Sequence, residues 1–523
     1  MEIPEQLVAL LTWQNAAGAV GVYYVARTCY RLFLHPLARF PGPKLAAATR
    51  WYEGYYDVVL NGQYTFKIGE LHRKYGPIVR ISPDELHIND PAFFNQLYRY
   101  EGRWDKYDWA YGAFGAPYST ICCIDHDLHK QRRAPIERYL SKANVIKNQH
   151  IIRHTTAVLC DRLAEFEGTG KSVNLGTALS AYVRDVAGEW LHGKQWNNLQ
   201  AEDFNAGMTA IFQSAGKIWR ITKHFRWFGP LMKSIPPAVI NAVGDQGSKD
   251  FFGFLAEMLE TTEQGLSSMD PSKQSDTKEY PTIVHAIASS TLPPSEKTAT
   301  RISDDTMTVT GAAFETTAAA LRVILYYLYS DPQVLVKLRA EINEAVREHG
   351  ESELGLAILE KLPYLTAVLT EGLRLAPGIA TRQARVAPDR DLLFEEWRIP
   401  AGTPVGMTVL LLHMDERVYS DPERFAPERW LEPSAARRKD RTFAPFSKGS
   451  RICAGMHLGW AEMYYVVSVL VQTFDFKFDG AGPKDVKPYS DQIVIGTKDS
   501  SGIKAFVSRH HPDMPSTKKT EAS

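Results

Sequence analysis

The run Phe446-Ser447-Lys448-Gly449-Ser450-Arg451-Ile452-Cys453-Ala454-Gly455 surrounds one cysteine with residue types that suit a metal-ligating thiolate. Ala454 to Val471 is an apolar stretch without proline, which predicts a buried helix directly after the cysteine. The first N–H groups of such a helix lack partners and carry partial positive charge, so they favour an anionic sulfur just ahead of them. Gly449 suits a tight turn, and Gly455 lets a flat macrocycle approach the backbone. Phe446 can pack beside the sulfur, and Arg451 offers a planar fork for a carboxylate such as a haem propionate. These types point to a haem held by a sulfur anion, rather than to the inert buried thiol that a lone cysteine more often is.

Other groups gain meaning only beside that loop. Ala312-Ala313-Phe314-Glu315-Thr316-Thr317 sets an acid and two hydroxyls after a small pair, where a flat cofactor can lie close. Alone, it fits threonines bonding back to helix carbonyls beside an exposed glutamate. Glu371 and Arg374 sit three apart on a helix that Pro363 can open and Pro377 closes, so they project from one face. An exposed pair of that kind is worth under about 1 kcal/mol. Bases concentrate in His126-Asp127-Leu128-His129-Lys130-Gln131-Arg132-Arg133 and again in Arg382-Gln383-Ala384-Arg385. On its own the first of these runs reads as a solvated basic helix face.

The pattern Phe-x-x-Gly-x-Arg-x-Cys-x-Gly, filled at every fixed position, resembles the haem-binding loop of the cytochrome P-450 family. The likeness runs from Phe40 to about His510. It is similar above all to anchored fungal members that oxidise secondary metabolites, and the opening Arg39 to Tyr52 looks like that of trichodiene oxygenase relatives. The resemblance implies a mainly α fold with a small β region, haem b as cofactor and Cys453 as axial ligand to its iron. Phe446, Gly449, Arg451 and Gly455 would surround that ligand. His129, in the slot where the family has an aromatic tryptophan, joins Arg133 and Arg385 as implied propionate partners, and Lys130, Arg132 and Lys142 form an implied basic proximal surface. Thr316 would hydrogen-bond dioxygen at the haem, with Glu315 in a proton relay from solvent. Ala313, where the family more often has glycine, would make room for dioxygen. Glu371, Arg374 and Arg429 of Phe425-Ala426-Pro427-Glu428-Arg429-Trp430 resemble a buried carboxylate–guanidinium triad of structural role.

The implied reaction inserts one oxygen atom from dioxygen into an apolar substrate, by hydroxylation or epoxidation, on a terpenoid or polyketide intermediate of mycotoxin-type secondary metabolism. No flavin or nicotinamide domain fits beside the haem domain, so electrons are expected from NADPH through a separate acidic reductase, with cytochrome b5 as a further donor. Two other readings stay open: a reductase-independent haem-thiolate isomerase or dehydratase, against which the Glu315-Thr316 pair argues, and a haem-binding protein without turnover.

These residues need a scaffold. The chain has 523 residues, 44% hydrophobic and 11% aromatic, with no sharp shift in composition, which fits one large catalytic unit. Lys plus Arg equals Asp plus Glu at 60 each, so no global field favours nucleic acid. Cys29, Cys122, Cys123, Cys160 and Cys453 are odd in number and without metal spacing, which argues against a disulfide framework and for a cytosol-like compartment. Leu7 to Val25 is mainly apolar and long enough as a helix to cross a bilayer. Glu2 and Glu5 precede it, and Arg27, Arg31, Arg39 and Lys44 follow, so the segment is expected to be a single uncleaved anchor in the endoplasmic reticulum membrane with the body in the cytoplasm. The expected organisation is an anchor over 1–28, a proline-rich hinge without helix or strand over 29–45, the haem domain over 46–510 and a polar tail over 511–523. Ile78 to Ile81 and Glu85 to Ile88 predict short strands among long helices, and one helix from near Ser303 to Tyr329 spans about 40 Å. Trp104, Tyr107, Trp109, Tyr111 and Phe114 are candidates to line an apolar pocket, and Phe225, Trp227, Phe228, Leu231 and Met232 to form a lip facing the membrane.

Overall fold

Apolar stripes of helical period run through most of the chain, and the computed structural model, which describes residues 13–269, 281–350 and 353–511, is mainly helical with small sheets. The helices that matter for the site are α1 (Trp13–Cys29), α2 (His126–Tyr139), α3 (Gln149–Ala164), α4 (Leu175–His192), α5 (Ala206–His224), α6 (Ala299–Ser330), α7 (Pro332–His349), α8 (Pro363–Leu375) and α9 (Met456–Thr473). The strands of the two larger sheets are β1 (Ile78–Ser82), β2 (Glu85–Ile88), β3 (Asp105–Lys106), β4 (Val173–Asn174), β5 (Arg385–Val386), β6 (Pro404–Gly406), β7 (Phe474–Phe478) and β8 (Lys504–Arg509).

Helix α6 is the spine. Its 32 residues span about 48 Å at 1.5 Å per residue. It starts four residues before the expected position, because the Thr298 side chain caps it by accepting from the Arg301 N–H at 3.4 Å. It stops where Asp331 turns extended and caps α7, accepting from the Gln333 and Val334 N–H groups at 3.0 and 3.3 Å ahead of Pro332. Leu321, Ile324, Leu325 and Leu328 of α6 share one buried core with Tyr182 and Val186 of α4 and Val467 and Leu470 of α9.

A five-stranded sheet in the order β1-β2-β6-β5-β3 forms the second part. It is antiparallel except for β2 and β6, which pair in parallel. Its last pairing sets Lys106 opposite Arg385. Strands β4, β8 and β7 make a separate antiparallel sheet.

Two expectations for the amino-terminal region meet a different arrangement. The segment 29–45 is a seam of the body and not a hinge free of helix. Tyr30–Leu34 forms a π-helical turn, Leu37 and Phe40 are buried with Ile78, Leu86 and Val405, and Phe40 stacks on Trp397 at 4.8 Å. The Pro41 carbonyl accepts the Arg80 N–H at 2.7 Å. Among the described residues, no helix is long and apolar enough to cross a membrane, α1 having 17 residues. The expected anchor begins at Leu7, outside the described residues, as does the tail beyond His511.

Candidate active site

The loop from Phe446 to Gly455 closes on itself at the start of α9. The Cys453 N–H donates to the Phe446 carbonyl at 2.9 Å and the Ile452 N–H to the Gly449 carbonyl at 3.0 Å. Gly449 has a φ of +71°, and a Cβ there would stand 2.6 Å from the Arg99 carbonyl oxygen, so only glycine fits. Apart from its own chain neighbours, no heavy atom of the described residues lies within 4 Å of where Gly455 would carry a Cβ, which leaves open room beside the cysteine. Phe446 packs on Trp460, with ring centroids 6.1 Å apart.

Cys453 has an exposed surface, yet burial pushes its thiol pKa up. The two observations agree if the sulfur faces a hollow enclosed by protein rather than bulk water. Hydrogen bonds from the Gly455 and Met456 N–H groups and the charge of Arg133 pull the other way. The helix-start donors therefore act as expected from the sequence, but desolvation outweighs them. A sulfur anion here needs a cation bound to it.

The remaining bases gather near this loop. Arg451, buried, gives its fork to the backbone, Nη1 to the Cys123 carbonyl at 2.9 Å and Nη2 to the Ile124 carbonyl at 2.9 Å. Its Nε is buried without a partner among the described residues. Arg385 is buried beneath the Tyr98 ring, 5.1 Å from its centroid. Lys106, which no sequence motif singles out, is buried beside Arg385 across the β3–β5 pairing. Burial, then the charges of Arg451 and Arg385, hold the Lys106 pKa well below its ordinary value. For the same reasons, burial first and Arg385 next, Arg451 is pushed down to about 10. His129 is buried and its pKa is lowered by burial and then by Arg451, Lys106, Arg133 and Arg385, so it is neutral. Among the described residues no carboxylate pairs with Lys106, Arg385 or Arg451. Asp105, the acid that Arg451 feels, is taken by Arg103 at 3.5 Å. Arg133, whose charge also reaches His129 and Cys453, has its Nε on Glu137 at 3.2 Å and its Nη1 on the Ile452 carbonyl at 2.5 Å, where it braces the cysteine loop.

Keeping three buried basic groups charged costs free energy when, among the described residues, no carboxylate pairs with them, and an anion that joins them removes that cost. An open space beside a cysteine, a guanidinium nitrogen without a partner and this cationic cluster fit a flat cofactor with two carboxylates. The residues present fit a haem.

On α6, neighbouring residues diverge. Thr316 is partly accessible and its Oγ1 donates to the Ala312 carbonyl at 3.0 Å. Thr317 faces α9, its Oγ1 lying 3.4 Å from where Gly459 would carry a Cβ and hydrogen-bonded to Glu462. Glu315 is buried, not exposed, and meets Arg322 at 3.3 Å and Gln213 of α5 at 3.5 Å, while its Oε1 has no partner among the described residues. The structure thus does not bring Glu315 and Thr316 together by a hydrogen bond.

Glu371, Arg374 and Arg429 do meet. Glu371, fully buried, accepts from Arg374 at 2.8 and 2.9 Å, from Arg429 Nε at 3.0 Å, from the Ala426 N–H at 3.0 Å and from Trp430 Nε1 at 2.8 Å. His413 extends this network toward the cysteine loop. Its Nδ1 bonds the Arg374 carbonyl at 3.0 Å and its Nε2 accepts the Ala444 N–H at 3.0 Å. Burial pushes its pKa to about 3, so it stays neutral and that tautomer persists. His413 sits in the apolar run Val409 to His413 and gives no sequence signal beyond an isolated polar residue there.

Some expected surfaces are altered. Arg132 is buried in a two-bond pair with Glu296 at 2.6 and 3.0 Å and leaves the basic face; Lys142 pairs with Glu360 at 2.7 Å and Lys130 is exposed. Trp104 belongs to the sheet core, whereas Tyr111 and Phe114 pair at 6.1 Å and Phe114 meets Trp219 of α5 at 5.8 Å. Glu53, Asp57 and His224 come close enough to share a metal ion. The Lys223 ammonium already sits 2.7 and 2.5 Å from the two carboxylates and serves as their cation.

A family profile described as Cytochrome P-450 matches residues 52–501. The chain is 38% identical to Cytochrome P-450 monooxygenase tpcC of Cochliobolus heterostrophus, covering 97% of this chain and 98% of that protein. It is 35% identical to Tryptophan 6-hydroxylase fscE of Fusarium equiseti, covering 92% and 94%. With Cytochrome P-450 monooxygenase TRI4 of Fusarium sporotrichioides it shares 33% identity over 92% of each.

Proposed function

Because the chain belongs to the cytochrome P-450 family and is a monooxygenase of it, we propose that it holds haem b through Cys453 and inserts one atom of dioxygen into an apolar terpenoid or polyketide intermediate of secondary metabolism. The observation that carries this reading is the cysteine loop with open room beside Gly455, adjoining buried basic groups that have no carboxylate partner among the described residues. A bound haem, its iron receiving electron density from the thiolate, would supply dioxygen activation. Arg385 and Arg451 would hold its carboxylates, with neutral His129 beside them. Phe446 and the Gly455 and Met456 N–H groups would shield and solvate the sulfur. Thr316 Oγ1 donates to Ala312 and keeps its lone pairs free to accept, so it would pass a proton, and Glu315, whose Oε1 has no partner among the described residues, would be a further group of that relay. Tyr111, Phe114 and Trp219 offer an aromatic wall suited to an apolar guest.

Electrons would come from NADPH through a separate reductase, with cytochrome b5 as a second donor. Localisation in the endoplasmic reticulum membrane with the haem domain in the cytoplasm is part of the proposal. It is supported by α1, in which no residue is buried, and by the exposed Trp227 and Leu231. Recovery of the full-length chain in the soluble fraction after alkaline extraction of microsomes would remove it.

The test is turnover of candidate terpenoids and polyketides under isotopically labelled dioxygen, with purified enzyme, reductase and NADPH. One labelled atom per product is expected, together with the reduced carbon monoxide difference band of a thiolate-ligated haem. Unlabelled product, or product formed equally well without reductase, would overturn the reading.

A further inference from the structure

We propose that Lys106 anchors a carboxylate edge of the bound haem and, through the Tyr111 ring, couples cofactor retention to order in the aromatic loop 107–115. The inference rests on the haem reading above and assigns a residue and a linkage that it does not require. Lys106 is 6% exposed, and its Nζ makes two visible contacts: it donates to the Ile121 carbonyl and lies 4.0 Å from the centroid of Tyr111. An ammonium has three N–H donors and no acceptor, so a carbonyl and an aromatic face leave it one donor short and its charge uncompensated. A lysine kept for structure would have a carboxylate, as Lys223 has in Glu53 and Asp57. Lys106 has instead Arg385 across the strand pairing and Arg451 near it. The missing partner is anionic, and among the described residues no carboxylate supplies it, which leaves that place for a carboxylate of the haem.

The same side chain ends on the loop. Tyr111 pairs with Phe114, Phe114 meets Trp219 of α5, and Trp219 Nε1 donates to the Ala110 carbonyl at 3.0 Å, which closes a ring of contacts between Lys106 and α5. Fixing the ammonium against an anion fixes the ring stacked on it, and the energetic effect runs both ways: what orders the loop must also tighten the hold on the cofactor.

The experiment follows haem transfer from full-length holoenzyme to excess apomyoglobin, with amide hydrogen exchange over 107–115 on the same samples. Lys106→Met is expected to lose haem about tenfold to a hundredfold faster than wild type, the effect of removing one charge-assisted hydrogen bond, and to exchange faster in the loop. Lys106→Arg is expected to stay near wild type in both. Tyr111→Leu, which removes no charge, is expected to speed haem loss about threefold through the linkage. It decides the matter even where Lys106→Met does not fold. Wild-type haem retention in either Lys106→Met or Tyr111→Leu, or faster loss from Lys106→Met with unchanged loop exchange, would overturn the inference while the haem reading stands. Wild-type protein that takes up no haem would instead overturn the haem reading itself.

Discussion

Thr316 and Thr317 are adjacent in sequence and do different work, because successive side chains on a helix point about 100° apart. Thr317 is committed to the α9 side, against Gly459 and Glu462. Thr316 keeps a partly open face and satisfies only its proton, on Ala312. Thr316→Ala is accordingly expected to keep the thiolate carbon monoxide band but to lower product per NADPH about tenfold or more, with the lost electrons recovered as peroxide. Thr316→Ser should restore most of the coupling. Unchanged coupling in the alanine variant would take Thr316 out of the mechanism. Cys453→Ser should lose that band altogether while its far-UV circular dichroism stays native. The cysteine loop was legible at this scale because each of its fixed positions, Phe446, Gly449, Arg451, Cys453 and Gly455, demands one residue type. Lys106 was not, because its meaning depends on a strand register that brings it opposite Arg385 over 270 residues away in sequence. The burial of Glu315 was equally hidden, since it depends on Arg322 and Gln213 closing over it.

At the scale of elements, α8 and the segment before the cysteine loop are joined through one carboxylate. Glu371 receives bonds from its own helix through Arg374, and from the downstream segment through Arg429, Trp430 and Ala426. Glu371→Gln keeps the shape but leaves two buried guanidinium groups without charge compensation, for an expected loss of about 3 to 5 kcal/mol in unfolding free energy. Trp430→Phe removes a single hydrogen bond to a charged group, for about 1.5 to 3 kcal/mol. The ordering is the test: urea unfolding in which Trp430→Phe costs as much as Glu371→Gln would mean that packing, and not the charge network, holds the segment. The i,i+3 spacing and the downstream arginine made this junction readable from sequence. The link onward to Ala444 was not readable, because it runs through one imidazole, His413, whose two ring nitrogens meet backbone from distant parts of the chain. Element ends were readable wherever a cap or proline marks them, as at Asp331-Pro332. The start of α6 was misplaced because Thr298 is a cap only when the Arg301 N–H turns toward it.

For the whole molecule, the helical body was legible from apolar period, and the docking of 29–45 was not, since a proline-rich segment carries no signal of what covers Leu37 and Phe40. Burial of titratable groups is likewise a property of the whole fold, and it sets how stability depends on pH. Burial holds His72 and His192 at about 4 and His413 at about 3, against an ordinary 6.5. Each stays neutral in the fold and gains a proton on unfolding, so its contribution is present above 6.5 and is lost as pH falls toward 4, or toward 3 for His413. Glu462 has the opposite sign: burial raises it from 4.5 to about 8, so the fold keeps a proton that the unfolded chain releases. Its contribution is fully present below 4.5 and is lost as pH rises through about 8. Above 6.5 these three histidines no longer change their share, and of the four groups the glutamate's contribution falls alone, which the difference between wild type and Glu462→Gln isolates. From there to pH 8 the loss should be about 2 kcal/mol, one proton over one and a half pH steps. Glu462→Gln, which carries no ionisable proton, should remove that fall on the alkaline side and steepen the rise between 4.5 and 6.5 by the one proton that the glutamate holds there. Urea midpoints recorded from pH 4 to 9 for both proteins decide it, and parallel alkaline limbs would mean that Glu462 ionises within the fold at no cost.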